Sequence, residues 1–220
     1  MSSDPRQQSL IESLAAELTP VRRLRPPWLR MLGWLLLVAV VATLLLRHFG
    51  AAAMLQRWAG APDLAWATAG AVVTAVGAAW AALALGVPGR PRAWAWLPLP
   101  GALLWIGASG MGCVQPWLAR GTSIASAYQS TIHCLTFIVI ISIPLSALLL
   151  WLLRRACPLR PALTACLLGL ASAAASAALL AIFHPFESTV SDLLIHGLAV
   201  AIVVAANAML GNRLLSRHRM

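Results

Sequence analysis

The sequence predicts an all-α, polytopic membrane protein with six transmembrane helices and both termini in the cytoplasm. Apolar residues make up 60% of the 220 residues and charged residues only 10%, which is unlike a soluble protein. Six segments approach the length of about 20 apolar residues that a helix needs to cross a bilayer. All 16 basic residues are arginines, and they lie between or beside these segments.

The chain divides into three predicted parts. Residues 1–28 form a cytosolic segment with an amphipathic helix and an Arg/Pro linker, residues 29–211 a membrane body, and residues 212–220 a basic cytosolic tail. The six spans predicted within the body are 29–47, 64–86, 94–112, 131–153, 162–183 and 191–211. The N-terminus lacks the basic region and cleavage site of a secretory signal, so the first span is expected to remain in the mature protein.

The arginines set the predicted orientation. Sorted by alternate sides of the membrane, 13 of the 16 arginines fall on one side, and Arg47, Arg57 and Arg120 fall on the other. The positive-inside rule then places both termini in the cytoplasm. Because these arginines flank apolar spans, the net charge of +10 does not indicate a nucleic-acid-binding protein.

The segment before the first span carries the largest surface outside the membrane. A helix over residues 8–18 places Ile11, Leu14 and Leu18 on one face, opposite two glutamates. This apolar stripe needs a partner helix, the membrane surface or the ends of its own spans. Prolines end the helix, and the arginine-rich linker that follows leads into the first span.

Spans two and five are predicted to form the interior of the bundle because they are rich in small residues. Gly70 and Thr74 in span two, and Ser172 and Ser176 in span five, recur at a spacing of four residues. Pro144 in span four is expected to bend its helix or to leave one carbonyl oxygen without its helical partner.

Sulfur-bearing and ionisable residues gather near the predicted outer face. They are Cys113, His133, Cys134, His184, Glu187, Asp192 and His196. One interpretation is a structural pair of Asp192 and His196, which lie four residues apart on one helix face. The other is a site for a thiophilic metal, or an oxidisable thiol pair, built from the cysteines and their neighbours.

The spacing of the cysteines leaves these alternatives open, because no two of them form a CxxC pair. In an oxidising compartment a disulfide between Cys113 and Cys134 is chemically permitted. Cys157 and Cys166 lie on the predicted cytoplasmic side and are interpreted as apolar packing residues.

Three classes of function are compatible with these features. A regulatory binding protein would use the apolar stripe, which could instead lie on lipid with its arginines on anionic headgroups. A membrane thiol oxidoreductase would need a reactive cysteine pair, and a small transporter would need ionisable residues near the bilayer midplane. The sequence has no nucleotide-binding loop and no zinc-protease motif, so we expect no enzymatic activity and no cofactor.

Several segments together resemble the NrsF-like family of six-span membrane anti-sigma factors. They are LIESLAAELTPVRRLRPP, RAWAWLPLP, the Gly-Cys at 112–113, HCLTFIVIISIPL, RRACPLRPALTACLLGLASAAASA and AIFHPFES, over about residues 9–215. The resemblance implies a bacterial inner-membrane protein whose cytosolic N-terminal segment sequesters an extracytoplasmic-function sigma factor, without touching nucleic acid itself. It also implies outer-side cysteines that sense heavy metal or oxidative stress.

The resemblance assigns roles to particular residues. The sigma-binding motif falls on Leu10, Ile11, Leu14, Leu18, Pro20, Val21, Arg22, Arg23, Leu24 and Arg25, and one sensory thiol on Cys134 after His133. The family carries a second His-Cys pair before the last span, where this chain has His184-Pro185. Cys113, or metal ligation by His184 and Glu187 together with Cys134, would have to replace that second thiol.

Overall fold

The computed structural model describes residues 4–18, 25–120, 124–156, 158–183 and 190–216, and it leaves out the side chains of residues 112–120, 124–132, 190–192, 212, 215 and 216. These residues form eight α-helices and one short 3-10 helix, with no strand among them. The α-helices are α1 (Pro5–Ala16), α2 (Pro27–Phe49), α3 (Ala51–Gly60), α4 (Pro62–Leu85), α5 (Leu99–Arg120), α6 (Ile124–Leu153), α7 (Pro161–Leu180) and α8 (Val190–Ser216).

Five of the described helices are long and apolar enough to cross a membrane, namely α2, α4, α6, α7 and α8. The third span predicted, 94–112, begins too early. Residues Arg92–Trp96 form the 3-10 helix instead, and α5 starts only at Leu99. Pro98 and Pro100 explain the delay, because a proline has no N–H to donate and fits only the first turn of a helix.

The connection after the first span contains a helix that the sequence analysis did not predict. Gly50 ends α2 with a φ of 84°, a conformation that favours glycine, and α3 begins at the next residue. Helix α3 ends at Gly60, and Pro62 then opens α4. The described helix α8 also runs past the predicted end of the last span at residue 211, as far as Ser216.

Helices α4 and α7 form the interior of the bundle, as predicted from their small residues. In each of them 72% of the most apolar stretch is buried, compared with 17% in α2 and in α8. Helix α5 packs on α4, α8 packs on α7, and α6 packs on both α7 and α8. Helix α2 makes much less contact with the rest of the bundle and lies at its periphery.

Small residues let α4 and α5 cross closely. A Cβ atom added at Gly70 would lie 2.5 Å from the backbone nitrogen of Trp105, and one added at Gly101 would lie 2.6 Å from the nitrogen of Thr74. The Thr74 hydroxyl donates to the carbonyl oxygen of Gly70, at 2.8 Å, so this buried polar group is satisfied within its own helix.

Hydrogen bonds between helices flank the proline of α6. The hydroxyl groups of Ser142 and Ser176 lie 3.1 Å apart and join α6 to α7. The side-chain amide of Asn207 donates to the hydroxyl of Ser146, at 3.1 Å, and joins α6 to α8. Pro144 lies between these two serines, so polar contacts hold α6 on both sides of the predicted bend.

The six long helices α2, α4, α5, α6, α7 and α8 alternate in direction through the bundle. Arg30, in the first turn of α2, reaches carbonyl oxygens near the ends of α4 and α6. Gly211, near the end of α8, lies against Ala165 and Leu150 at the same level. The start of α2 and the end of α8 therefore lie at one end of the bundle, which we call the Arg30 end; the opposite end is the Phe49 end.

The close crossing of α4 and α5 predicts a site-specific effect of an added methyl group. Gly70→Ala places a Cβ into the backbone of Trp105, whereas Gly107→Ala, on α5, meets no atom within 4 Å. We expect Gly70→Ala to be less stable than Gly107→Ala by about 1–3 kcal/mol. Both variants gain the same helix propensity from alanine, but only Gly70→Ala places its methyl group against a neighbouring backbone. Thermal unfolding of the two purified variants in the same detergent measures the difference, and equal midpoints would contradict the close crossing.

Candidate functional site

Helix α1 begins earlier and ends earlier than the sequence analysis predicted. The Asp4 carboxylate accepts the N–H of Arg6 at 3.0 Å, and Pro5 occupies the first helical position. The helix ends at Ala16, so Leu18 lies beyond it instead of on its last turn. The N-cap and the proline start the helix three residues before the predicted Gln8.

The predicted partner-binding side chains at the start of the segment are exposed. Leu10, Ile11, Leu14 and Leu18 expose 58%, 64%, 56% and 77% of their surface, and α1 has no buried residue. Arg25 is also exposed. The remaining predicted members of this motif, Pro20, Val21, Arg22, Arg23 and Leu24, lie outside the described residues. An exposed aliphatic stripe on a short helix is a typical docking surface for another protein.

Arg30 fixes the start of α2 to the bundle. The residue is 5% exposed, and its guanidinium donates to the carbonyl oxygens of Leu152 and Leu83, each at 3.4 Å. Both oxygens belong to the last turns of their helices, where helical N–H partners run out and the helix dipole is negative. Arg30 therefore stabilises the ends of α6 and α4 together, and it ties both to the helix that follows the N-terminal segment.

Trp34 adds a second directed contact one turn further along α2. Its indole N–H donates to the carbonyl oxygen of Leu145 at 3.3 Å, and the side chain is 1% exposed. Leu145 follows Pro144 on α6, so the contact lies at the predicted bend. Arg30, Met31 and Trp34 are the buried side chains of α2, and all three lie in its first two turns.

Cys134 lies on α6 toward the Phe49 end of the bundle. It is 4% exposed and belongs to an apolar cluster with Ile138, Leu180 and Ala199, drawn from α6, α7 and α8. His133, the other half of the predicted His-Cys pair, is exposed. The predicted sensory thiol is therefore buried where three helices meet, and a reagent reaches it only if these helices separate locally.

Three phenylalanines connect this cluster to the end of α2. The rings of Phe49 and Phe183 are stacked, with centroids 4.4 Å apart and planes inclined by 14°. Phe183 also meets Phe137 edge to face, at 5.0 Å, and both of these rings pack against the Cys134 cluster. Phe137 lies one turn after Cys134 on α6, so the stack joins the surroundings of Cys134 to the last residue of α2.

Helix α3 contributes a second contact at the same end. Arg57 donates to the carbonyl oxygen of Ile182, and the indole N–H of Trp58 donates to that of Ala181 at 3.4 Å. These oxygens belong to the C-cap of α7 and to the residue after it, so α3 supplies cationic and polar partners where α7 ends. Ala181 and Ile182, which directly precede Phe183, are therefore held by α3 as well as by the bundle.

The other predicted sensor and metal residues are only partly described. The side chains of Cys113 and Asp192 lie outside the described part of the chain, as do His184, Glu187 and Cys157. Among the residues that the structure describes, no three His, Cys, Asp or Glu side chains are grouped to hold a metal. Cys166 is separated from the Cys134 cluster by about 21 Å along α7, given 1.5 Å per residue from Leu180.

Three features of the site were missed or misread in the sequence analysis. By position Arg30 groups with the arginines that flank the membrane, but it lies inside the predicted first span, where a charged residue indicates a specific partner. Asn207, inside the last span, carries the same kind of signal. The stack of phenylalanines has no signature in the sequence, because its three members come from distant segments.

Comparison with known proteins identifies a family for the chain. The model of the family NrsF, described as negative regulator of sigma F, matches residues 14–216. The match starts within α1, at Leu14, and continues into the last turn of α8, so it covers both the N-terminal segment and the bundle. No curated protein and no solved structure matches the chain. Given a match over nearly its whole length, the chain belongs to the NrsF family of negative regulators of a sigma factor.

Proposed function

We propose that this protein is a membrane-bound anti-sigma factor that holds an extracytoplasmic-function sigma factor on its N-terminal segment, Leu10 to Arg25. The observation that carries the proposal is the exposed aliphatic stripe of α1 in a chain of the NrsF family. Negative regulation of a sigma factor implies that the protein binds one, and this stripe is a surface suited to binding another protein.

The energetics of the stripe agree with a role in binding. Burial of one leucine or isoleucine side chain contributes roughly 1.5–3 kcal/mol, and four such side chains are exposed here. Association costs an estimated 4–15 kcal/mol, so the four side chains alone give modest affinity. The arginines of the linker, with Arg25 exposed, supply attraction to acidic surfaces of the partner and speed its capture.

We further propose that the chain crosses the bacterial inner membrane six times, with both termini in the cytoplasm and with α5 as the third span in chain order, in addition to α2, α4, α6, α7 and α8. The distribution of arginines supports this orientation, since most of them belong to the Arg30 end, where α2 starts and α8 ends. In this arrangement α1 and the linker lie in the compartment that contains sigma factors. The protein acts by binding and is not an enzyme.

The signal is proposed to act on Cys134 and its neighbours, which lie toward the outer face in this orientation. A thiophilic metal or an oxidant would react with the thiol when the surrounding helices separate. His133 beside it in the sequence, and Cys113, His184 and Glu187 in segments predicted to lie near the outer face, are the candidates for additional ligands or a second thiol.

Leu14→Asp tests the binding surface. A charge in the centre of the stripe should weaken binding of the sigma factor by roughly 10- to 100-fold or more, since burial of the leucine is lost and a carboxylate is desolvated. Ser9→Asp adds the same charge on the opposite face of α1 and serves as the control. Affinity of the solubilised full chain for its sigma factor is the measurement, and equal loss in both variants, or none, would argue against the stripe.

Arg25→Glu tests the contribution of the linker. Reversing this exposed charge should slow association with the sigma factor while leaving dissociation nearly unchanged, because rim charges act mainly on encounter. The difference from wild type should shrink as ionic strength rises from about 0.05 to 0.5 M. Surface-immobilised full-length protein gives both rate constants. Arg90→Glu, an exposed arginine between α4 and the 3-10 helix, is the control, and an effect as large in that variant would show that the charge acts non-specifically.

Cys134→Ala tests the sensor. The variant should still hold the sigma factor but should show a blunted release when a thiol-reactive metal or an oxidant is added outside the cell, because the buried thiol is lost while the apolar cluster is kept. Cys166→Ala, at the other end of α7, is the control. A reporter driven by the sigma factor provides the readout, and a normal response of Cys134→Ala would remove this thiol from the sensing step.

A further inference from the structure

Helix α2 connects the two halves of the proposed mechanism. It follows the sigma-binding segment in the chain, and its last residue, Phe49, contacts the rings that pack against the Cys134 cluster. The helix has 23 residues, so it is about 35 Å long at 1.5 Å per residue. Its one proline occupies the first helical position, and no proline interrupts the helix further along.

The directed contacts of α2 with the bundle lie at its two ends, and between them partly buried apolar side chains, among them Leu35 and Val38, pack against the core. At the Arg30 end, the buried Arg30 and Trp34 donate to carbonyl oxygens of α4 and α6. At the Phe49 end, Phe49 stacks on Phe183, and α3, which follows α2 after Gly50, is bound through Arg57 and Trp58 to the residues that follow α7. From Leu35 to Phe49 every residue is half-buried or exposed.

An open apolar groove lies beside the middle of α2, next to the place where Leu35 and Val38 pack against the core. Its volume is about 260 Å³, and its walls are almost entirely apolar. Side chains of α2 such as Val38 face those of α4 and α7, among them Val72 and Leu179, across this space. Because packing is incomplete along this groove, α2 has room to change its tilt relative to α4 and α7.

We propose that α2 is the moving part of the protein. Opening of the Phe49–Phe183–Phe137 stack beside Cys134 frees the outer half of α2, and the tilt of this helix pulls Arg30 away from the ends of α4 and α6. The position of the sigma-binding segment changes with it, and the sigma factor is released. The proposal rests on the proposed function, and it adds the path by which a change at Cys134 reaches the sigma-binding segment.

The equilibrium between the attached and the released position of α2 is set by few interactions. A stacked or edge-to-face pair of aromatic rings shifts such an equilibrium by roughly 2- to 12-fold, and Phe183 takes part in two pairs. The two hydrogen bonds of Arg30 act in the same direction at the other end. A modification that displaces one ring is therefore enough to change the population several-fold.

The test measures both ends of α2 in the same full-length protein. The first readout is the rate at which N-ethylmaleimide alkylates Cys134, followed by site-resolved mass spectrometry in detergent. The second is the affinity for the sigma factor without any inducer. Phe183→Ala should increase the alkylation rate and weaken sigma binding, each by roughly 2- to 12-fold or more. Leu44→Ala, an exposed residue of α2 away from the stack, should change neither.

Arg30→Lys gives the sharper test because Arg30 is remote from the thiol. Cys134 and Leu152 are separated by about 27 Å along α6. If the two attachments are coupled through α2, this variant accelerates alkylation of Cys134 by roughly 2- to 12-fold, although it retains the charge. Arg154→Lys, an exposed arginine at the same end, is the matched control and should leave the rate unchanged.

The outcomes separate the coupling from the function. Faster alkylation of Cys134 in Phe183→Ala with unchanged affinity for the sigma factor would overturn the role of α2. An unchanged alkylation rate in Arg30→Lys would do the same, provided that thermal unfolding shows this variant to be folded. A wild-type chain that does not bind its sigma factor would overturn the proposed function itself. In that case the alkylation rates alone would still show whether the two ends of α2 are coupled.

Discussion

The buried guanidinium of Arg30 is the contact on which the arrangement of the bundle depends. A cation removed from water is costly unless polar partners surround it, and here the partners are carbonyl oxygens of Leu83 and Leu152 that have no helical donor. Two guanidinium nitrogens, Nη1 and Nη2, and the two helix ends therefore satisfy one another, whereas the buried Nε has no hydrogen-bond partner among the described residues. Because Arg30 lies three residues into α2, the same contact fixes where the N-terminal segment leaves the bundle.

The rest of the bundle consists of a closely packed interior and one loosely held helix, α2. Alanine, glycine, serine and threonine let α4 and α7 pack closely with α5 and α8, and their hydroxyl groups are satisfied by carbonyl oxygens four residues earlier. Helix α2 has larger side chains and an apolar groove on its inner side. Stability of the fold thus comes mainly from helices that need not move, and α2 is held by directed contacts near its two ends and by partly buried apolar side chains between them.

The burial of Cys134 determines how the proposed sensor would respond to a reagent. The thiol lies in a cluster with Ile138, Leu180 and Ala199, and the rings of Phe137 and Phe183 pack against this cluster. A buried thiol in apolar surroundings reacts slowly, so its response reports the opening of the cluster as much as the chemistry of the stimulus. Sensing at such a residue and the release of α2 would be two consequences of the same local separation of helices.

The sequence by itself determined the helical membrane class, the interior position of α4 and α7, and the family, because apolar length, small-residue spacing and motif order are local properties of the chain. It also indicated the aliphatic stripe before the first span, although the N-cap at Asp4 shifted the helix toward the N-terminus. Only the tertiary structure decided that Arg30 caps two other helices and that Phe49 meets the Cys134 cluster. Both contacts join residues more than 50 positions apart, and their geometry depends on how the helices cross, which no local pattern records.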